Sequence, residues 1–245
     1  MNKRYLKRYI ALICALTMIL GFSLNVSASE GSPIVREVHY TEITDPDTLL
    51  QMAIDQYNST PVTRSSEPRM TITVEQLISE VEYADGTVEK QFCINEIGAV
   101  DKEGKQMTAA DFSYASGTNG ESKSGYGVTL VCTIYATMRV SSVPSADMVT
   151  FRCDKVTATI VRGSTVYPGA GSIQYWHQKG NEHKSTTFTS SVATNQTFTL
   201  NGNGGFYVST SVPMAGGLFA QAAVALSNGS ELVVQAGIPQ DAPFD

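Results

Sequence analysis

The chain has 245 residues, 42% of them hydrophobic, with 17 Lys+Arg against 23 Asp+Glu and a formal net charge of −6. Four of the basic residues and none of the acidic ones lie in the first 28 positions, so residues 29–245 carry ten more acids than bases. Nucleic acid, anionic lipid and anionic wall polymer are therefore poor partners, because binding them depends on basic patches.

The first 28 residues read as a secretory signal peptide. Lys3, Arg4, Lys7 and Arg8 make a basic start, Ile10 to Leu20 an apolar run, and Val26-Ser27-Ala28 a small-residue cleavage site, which places the cut after Ala28. The apolar run is short for a spanning helix, and Cys14 follows Ile13 rather than a small residue, so no lipid anchor is expected. The long basic start points to a bacterial exporter. The product is expected to be secreted and extracellular, with no stable membrane anchor.

Next in order, "TDPDTLLQMAIDQYNST" predicts a short helix with Asp45 as N-cap and Pro46 at its first position. Leu50, Ala53, Ile54 and Tyr57 share one face of it. "TRSSEPR" is a break. "MTITVEQLISEVEY-ADG-TVEKQFCINEIGAV" predicts a β-hairpin around Asp85-Gly86, with a two- or three-residue loop, and "DKEGK" the following turn.

Residues 113–126, rich in Gly and Ser, read as a linker or loop between an N-terminal helix-plus-hairpin region (29–112) and a β domain (127–245). Beyond the linker, eight short strands are predicted at 127–140, 147–162, 172–178, 184–190, 195–200, 204–212, 217–227 and 230–236. The fold class is mostly β: an antiparallel β-sandwich or jelly roll at the C-terminal end, preceded by the helix and hairpin.

"GVTLVCTIYATMRV" alternates strictly, with Cys132 on its apolar side. If Cys132 faced Cys153 across an antiparallel pair, Ile134 would face Phe151, Ala136 would face Val149, and 141–144 would be a four-residue loop. That register makes Cys132–Cys153 the disulfide candidate and leaves Cys93 over. The alternation changes phase after Lys155, which predicts a bulge near Asp154.

Chemistry is sparse. His177, Glu182 and His183 surround a turn without metal-ligand spacing, and His39 stands alone, so no metal and no cofactor is expected. No nucleophile elbow or phosphate-cradling loop occurs. Glu75, Glu80, Glu82 and Glu89 read as the wet face of the hairpin, with dispersed catalytic carboxylates as the enzymatic alternative.

In "SIQYWHQ", Gln174, Trp176 and Gln178 share the polar face, opposite Ile173, Tyr175 and His177. Tyr135 is expected on the exposed, outer face of its strand among Thr133, Thr137 and Arg139. An aromatic plate flanked by amides or hydroxyls suits recognition of sugars or proteins. The leading expectation is a secreted, non-enzymatic binding protein for an extracellular glycan or protein, mucosal glycan and immunoglobulin being examples on a host. Trp176, Gln174, Gln178 and Tyr135 are its binding residues. A secreted hydrolase is one alternative. The other is a β-pore former using 185–230, a stretch without a charged residue or histidine. Oligomeric state is not legible.

Overall fold

The computed structural model describes residues 32–59, 70–111, 126–140, 149–162, 168–177, 183–190, 195–205, 207–209 and 217–238. Two units separate along the chain, Met1–Pro33 and Ile34–Asp245, and every element below belongs to the second. The expected signal peptide, Gln178 and nearly all of the 113–126 stretch lie outside the described residues.

Among the described residues the unit is mostly β, and its one helix of several turns is α1 (Pro46–Ser59). Asp45 caps it: its carboxylate accepts from the Thr48 amide at 2.8 Å and its carbonyl from the Leu49 amide at 2.9 Å. The buried stripe is Leu49, Ala53 and Ile54, while Leu50 and Tyr57 are half-buried. The helix is thus turned slightly towards Leu49 relative to the face expected from sequence.

Five consecutive strands form a meander: β1 (Ile34–His39), β2 (Ile72–Tyr83), β3 (Val88–Asp101), β4 (Tyr126–Val140) and β5 (Val149–Arg162). The far side of β5 is completed by β8 (Gln196–Asn201), paired with residues 155–160, and β9 (Tyr207–Ser209), paired with 149–151. The second sheet runs β11 (Glu231–Ile238), β10 (Leu218–Leu226), β6 (Pro168–His177), β7 (His183–Thr189). All pairings are antiparallel. The meander distinguishes this sandwich from a jelly roll, whose sheets are built from two Greek keys.

β3 and β4 pair along their whole length, from Val88↔Val140 to Asp101↔Tyr126. Residues on either side of 113–126 therefore share one sheet, so the expected division into 29–112 and 127–245 does not describe the fold. β1 has no counterpart in the sequence reading. The charge-free stretch is divided between both sheets, with β10 in the middle of the smaller one, rather than forming one hairpin.

The sheets pack through one apolar core, built from the even residues of β4 from Val128 to Met138 with Phe151, Cys153, Val156, Ala158 and Ile160 of β5. Ile173, Tyr175, Leu218, Val224, Leu232 and Val234 face them from the second sheet. The other face of the larger sheet carries a second cluster: Leu49, Ala53 and Ile54 of α1 over Ile72, Val74, Ile97 and Val131. Burying each such Leu or Ile contributes about 1.5–3 kcal/mol.

The cysteine register differs from expectation. Cys132 faces Ala158 and Cys153 faces Ala136, so no Cys132–Cys153 disulfide forms, and Cys93, Cys132 and Cys153 are buried and not disulfide-bonded. The face assignment was right but the slide along it was not. Val140 pairs with Val149, so more than four residues separate the paired ends. The bulge does fall at Asp154: Tyr135 pairs with Lys155 and Ala136 with Cys153, leaving Asp154 unpaired between them.

Three turns share one design. At Tyr83–Thr87, Asp101–Lys105 and Leu226–Ser230, the fifth residue's carbonyl accepts from the first amide, and the fourth residue is a glycine with φ between 81° and 83°. This is the three-residue hairpin loop closed by a left-handed glycine. The last two turns also meet, because Asn228 Nδ2 donates to the Glu103 carbonyl at 3.0 Å.

Gly104→Ala places a Cβ on the Asn228 amide as well as at positive φ, whereas Gly229→Ala meets nothing within 4 Å. Urea denaturation is expected to show Gly229→Ala costing about 1 kcal/mol and Gly104→Ala about 2–3 kcal/mol. Equal losses would mean that the contact between the turns contributes nothing.

Burial pushes the Cys93 and Cys132 thiols up to about 12. The folded state then holds protons that the unfolded state releases above the ordinary value of 9.0, so stability is full below about pH 9 and falls as pH rises towards 12. Native protein at pH 8 should resist alkylation at all three thiols and react at all three in denaturant, as counted by mass spectrometry.

Candidate functional site

The outer face of the smaller sheet holds Trp176 and Gln174 where sequence placed them, opposite the buried Ile173, Tyr175 and His177. Register then adds partners that no local pattern reveals. One row across the sheet reads Gly237, Phe219, Trp176, His183 and the next reads Gln235, Gln221, Gln174, Ser185. Trp176 and Phe219 are half-buried and stack, with ring centroids 5.8 Å apart and planes 22° from parallel. Phe219 lies flat because its neighbours are glycines: a Cβ on Gly237 or Gly217 would come within 2.5 or 2.6 Å of its ring.

Beside the aromatic row, Gln174 Nε2 donates to Gln221 Oε1 at 3.1 Å, and Gln174 Oε1 lies 3.2 Å from His183 Nε2. Neither row contains an Asp, Glu, Lys or Arg. The surface is apolar and hydrogen-bonding without a permanent charge.

Tyr135 lies elsewhere, on the outer face of the larger sheet, and it is not exposed as expected. Only 9% of its surface is accessible, because the segment leading into α1 covers it. Its hydroxyl donates to Glu42 Oε1 at 2.5 Å, and the Lys155 ammonium sits 3.9 Å from its ring centroid. Burial, and then the hydrogen bond to Glu42, raises the Tyr135 pKa, so the phenol stays protonated and donates. Trp176 and Tyr135 therefore belong to two different sites on opposite sides of the sandwich.

Around Tyr135 is a groove of about 380 Å³. Its floor is a registered set of side chains: Asn95, Thr133, Thr157 and Thr199 in one row, and Val131, Thr159 and Thr197 in the next. Its wall is Glu42, Ile43, Thr44, Pro46 and Leu49. Thr133 Oγ1 donates to Asn95 Oδ1 at 2.8 Å, and Thr159 and Thr197 hydroxyls are 3.0 Å apart. The sequence showed these threonines as the polar half of an alternation. It could not show that residues 42–49 would turn that half into a groove.

On the same face, the bulge turns Asp154 outward. One carboxylate oxygen accepts from Gln91 at 3.1 Å and Thr137 at 2.7 Å, the other from Arg152 at 2.6 Å. Three strands are thus tied through one side chain.

Of the hairpin carboxylates, Glu80 lies 3.4 Å from Arg36 and 3.9 Å from Lys90. Glu89 departs from the wet-face expectation: it is buried and bridged to Arg139 at 2.5 Å. His177 is buried on the inner face and His183 exposed on the outer one, so the two do not converge. Among the described residues no group of three His, Cys, Asp or Glu side chains is placed to hold a metal ion, and no helix is long and apolar enough to cross a membrane. Comparison with protein-family models, curated proteins and solved structures finds no match.

Asp154→Ala should leave the Gln91, Thr137 and Arg152 donors without their shared acceptor and cost about 1–3 kcal/mol in denaturant titrations. Asp154→Asn, which keeps one acceptor oxygen, should recover part of that. A loss below about 0.5 kcal/mol would mean that water replaces the carboxylate.

Proposed function

We propose that this is a secreted, non-enzymatic binding protein that takes an extracellular neutral glycan on the outer face of its smaller sheet. The observation that carries this reading is the pair of adjacent rows, one aromatic and one of glutamines, with no permanent charge in either. A sugar ring offers an apolar C–H face and a rim of hydroxyls. A stacked Trp–Phe plate matches the face, and amides that both donate and accept match the rim. A surface without ions also imposes no charge-desolvation cost on binding an uncharged ligand. The basic start, apolar run and small-residue cleavage site support export.

The test is a glycan array followed by calorimetric titration of the best neutral glycan, with Trp176→Ala and Gln174→Ala beside the parent. Trp176→Ala should weaken binding at least about tenfold, since loss of a stacked contact of 1.4 kcal/mol is already tenfold. Its urea midpoint should stay close to that of the parent. Collapse of cooperative unfolding would make Trp176 a structural residue, and binding confined to anionic glycans or to proteins would reject the proposed ligand class.

A further inference from the structure

We propose that the covered groove on the larger sheet is a second and separate ligand site, shaped for a single neutral sugar residue. It does not rest on the Trp176 face, with which it shares no residue.

Enclosure comes first. The groove has floor and wall, and its volume of about 380 Å³ falls within the few hundred Å³ usual for small-molecule sites. Several of its polar groups sit on a rigid floor rather than on mobile loops: Asn95, Thr133 and Thr157 are all buried residues of long paired strands.

Charge comes second. Among the lining residues Glu42 and Lys155 are the only ones with full charges, and they cancel. Glu42 already accepts the Tyr135 hydroxyl, while Lys155 rests on the same ring. Neither a polyanion nor a cation is selected by such a lining.

The kind of polar group comes third. Five threonine hydroxyls of the floor and the Asn95 and Asn195 amides dominate the lining, and each of these groups both donates and accepts. Strand spacing sets neighbouring side chains within a floor row about 4.8 Å apart, so several can reach one compact polyhydroxylated ligand. Pro46, Leu49 and Val131 supply an apolar strip for its C–H face. Lys155, whose ammonium lies over the Tyr135 ring and forms no ion pair within 4.0 Å among the described residues, keeps its N–H donors for a ligand.

The experiment is ligand-observed NMR and calorimetry of the purified chain with glucose, galactose, N-acetylglucosamine and glucuronate. At least one of the three neutral sugars should bind saturably, and Thr157→Val and Lys155→Met should each weaken it about tenfold. Thr157→Val removes a hydroxyl while keeping the side-chain shape, so it remains informative should Lys155→Met unfold. Absence of saturable binding by all three neutral sugars overturns the proposal, as does binding of glucuronate alone. Binding that survives both variants, or that disappears with Trp176→Ala and not with Thr157→Val, places the ligand outside the groove and also overturns it.

Discussion

Everything in this fold depends on β4 being covered from both sides. Thirteen of its fifteen residues are buried, although its sequence alternates as if one side were wet. From Val128 to Met138 the even residues meet the second sheet in a close-packed apolar core. The odd residues meet α1 and the segment before it through Val131, then through polar side chains that must find partners because burial leaves them little water. Asn95 with Thr133, Tyr135 with Glu42, and Thr137 with Asp154 are those partnerships. A polar residue left alone at such a position would cost about 1–3 kcal/mol.

The two outer faces consequently differ in kind. Among the described residues no helix lies over the smaller sheet's outer face, and there an aromatic pair seated on glycine lies beside a line of amides. The larger sheet's outer face is partly closed by α1 and residues 42–49, and what is left open is a hydroxyl-lined groove beside an ionic cluster. Both faces are rows of side chains fixed by cross-strand register, so their geometry is inherited from the β3–β4–β5 pairings in the larger sheet and the β11–β10–β6–β7 pairings in the smaller one, rather than from local loops.

Much of the fold was legible from period and punctuation. The strand positions from β2 onward, the Asp45 cap, the three glycine turns and the side on which each residue of β4 and β6 lies all follow from local pattern. Register was not legible. Two facing cysteines and a short loop were mutually consistent, yet a slide along β5 that preserves parity keeps every apolar residue inward and costs nothing that alternation can detect. The partners of Trp176 were hidden for the same reason, since Phe219 and Gln221 are more than forty positions away. Tyr135 was misread as exposed because its neighbours in sequence are polar, and only the return of residues 42–49 shows that polar and buried coincide there. The Gly/Ser-rich stretch was read as a boundary because composition reports the character of a connection and not whether its flanks pair.

The extra residue at Asp154 has a consequence for how this strand can vary. Above the bulge the core-facing residues of β5 are odd-numbered, Phe151 and Cys153; below it they are even-numbered, Val156, Ala158 and Ile160. The bulge is a phase shifter: it lets one strand place a carboxylate and an ammonium side by side on the same surface and then resume alternation with its threonines turned outward. Losing a single residue here would exchange the two sides of everything downstream, threonines into the core and aliphatics into the groove. Along β5, residue number is therefore constrained as strictly as residue identity, and relatives that keep the groove are expected to differ by substitution and not by one-residue gaps.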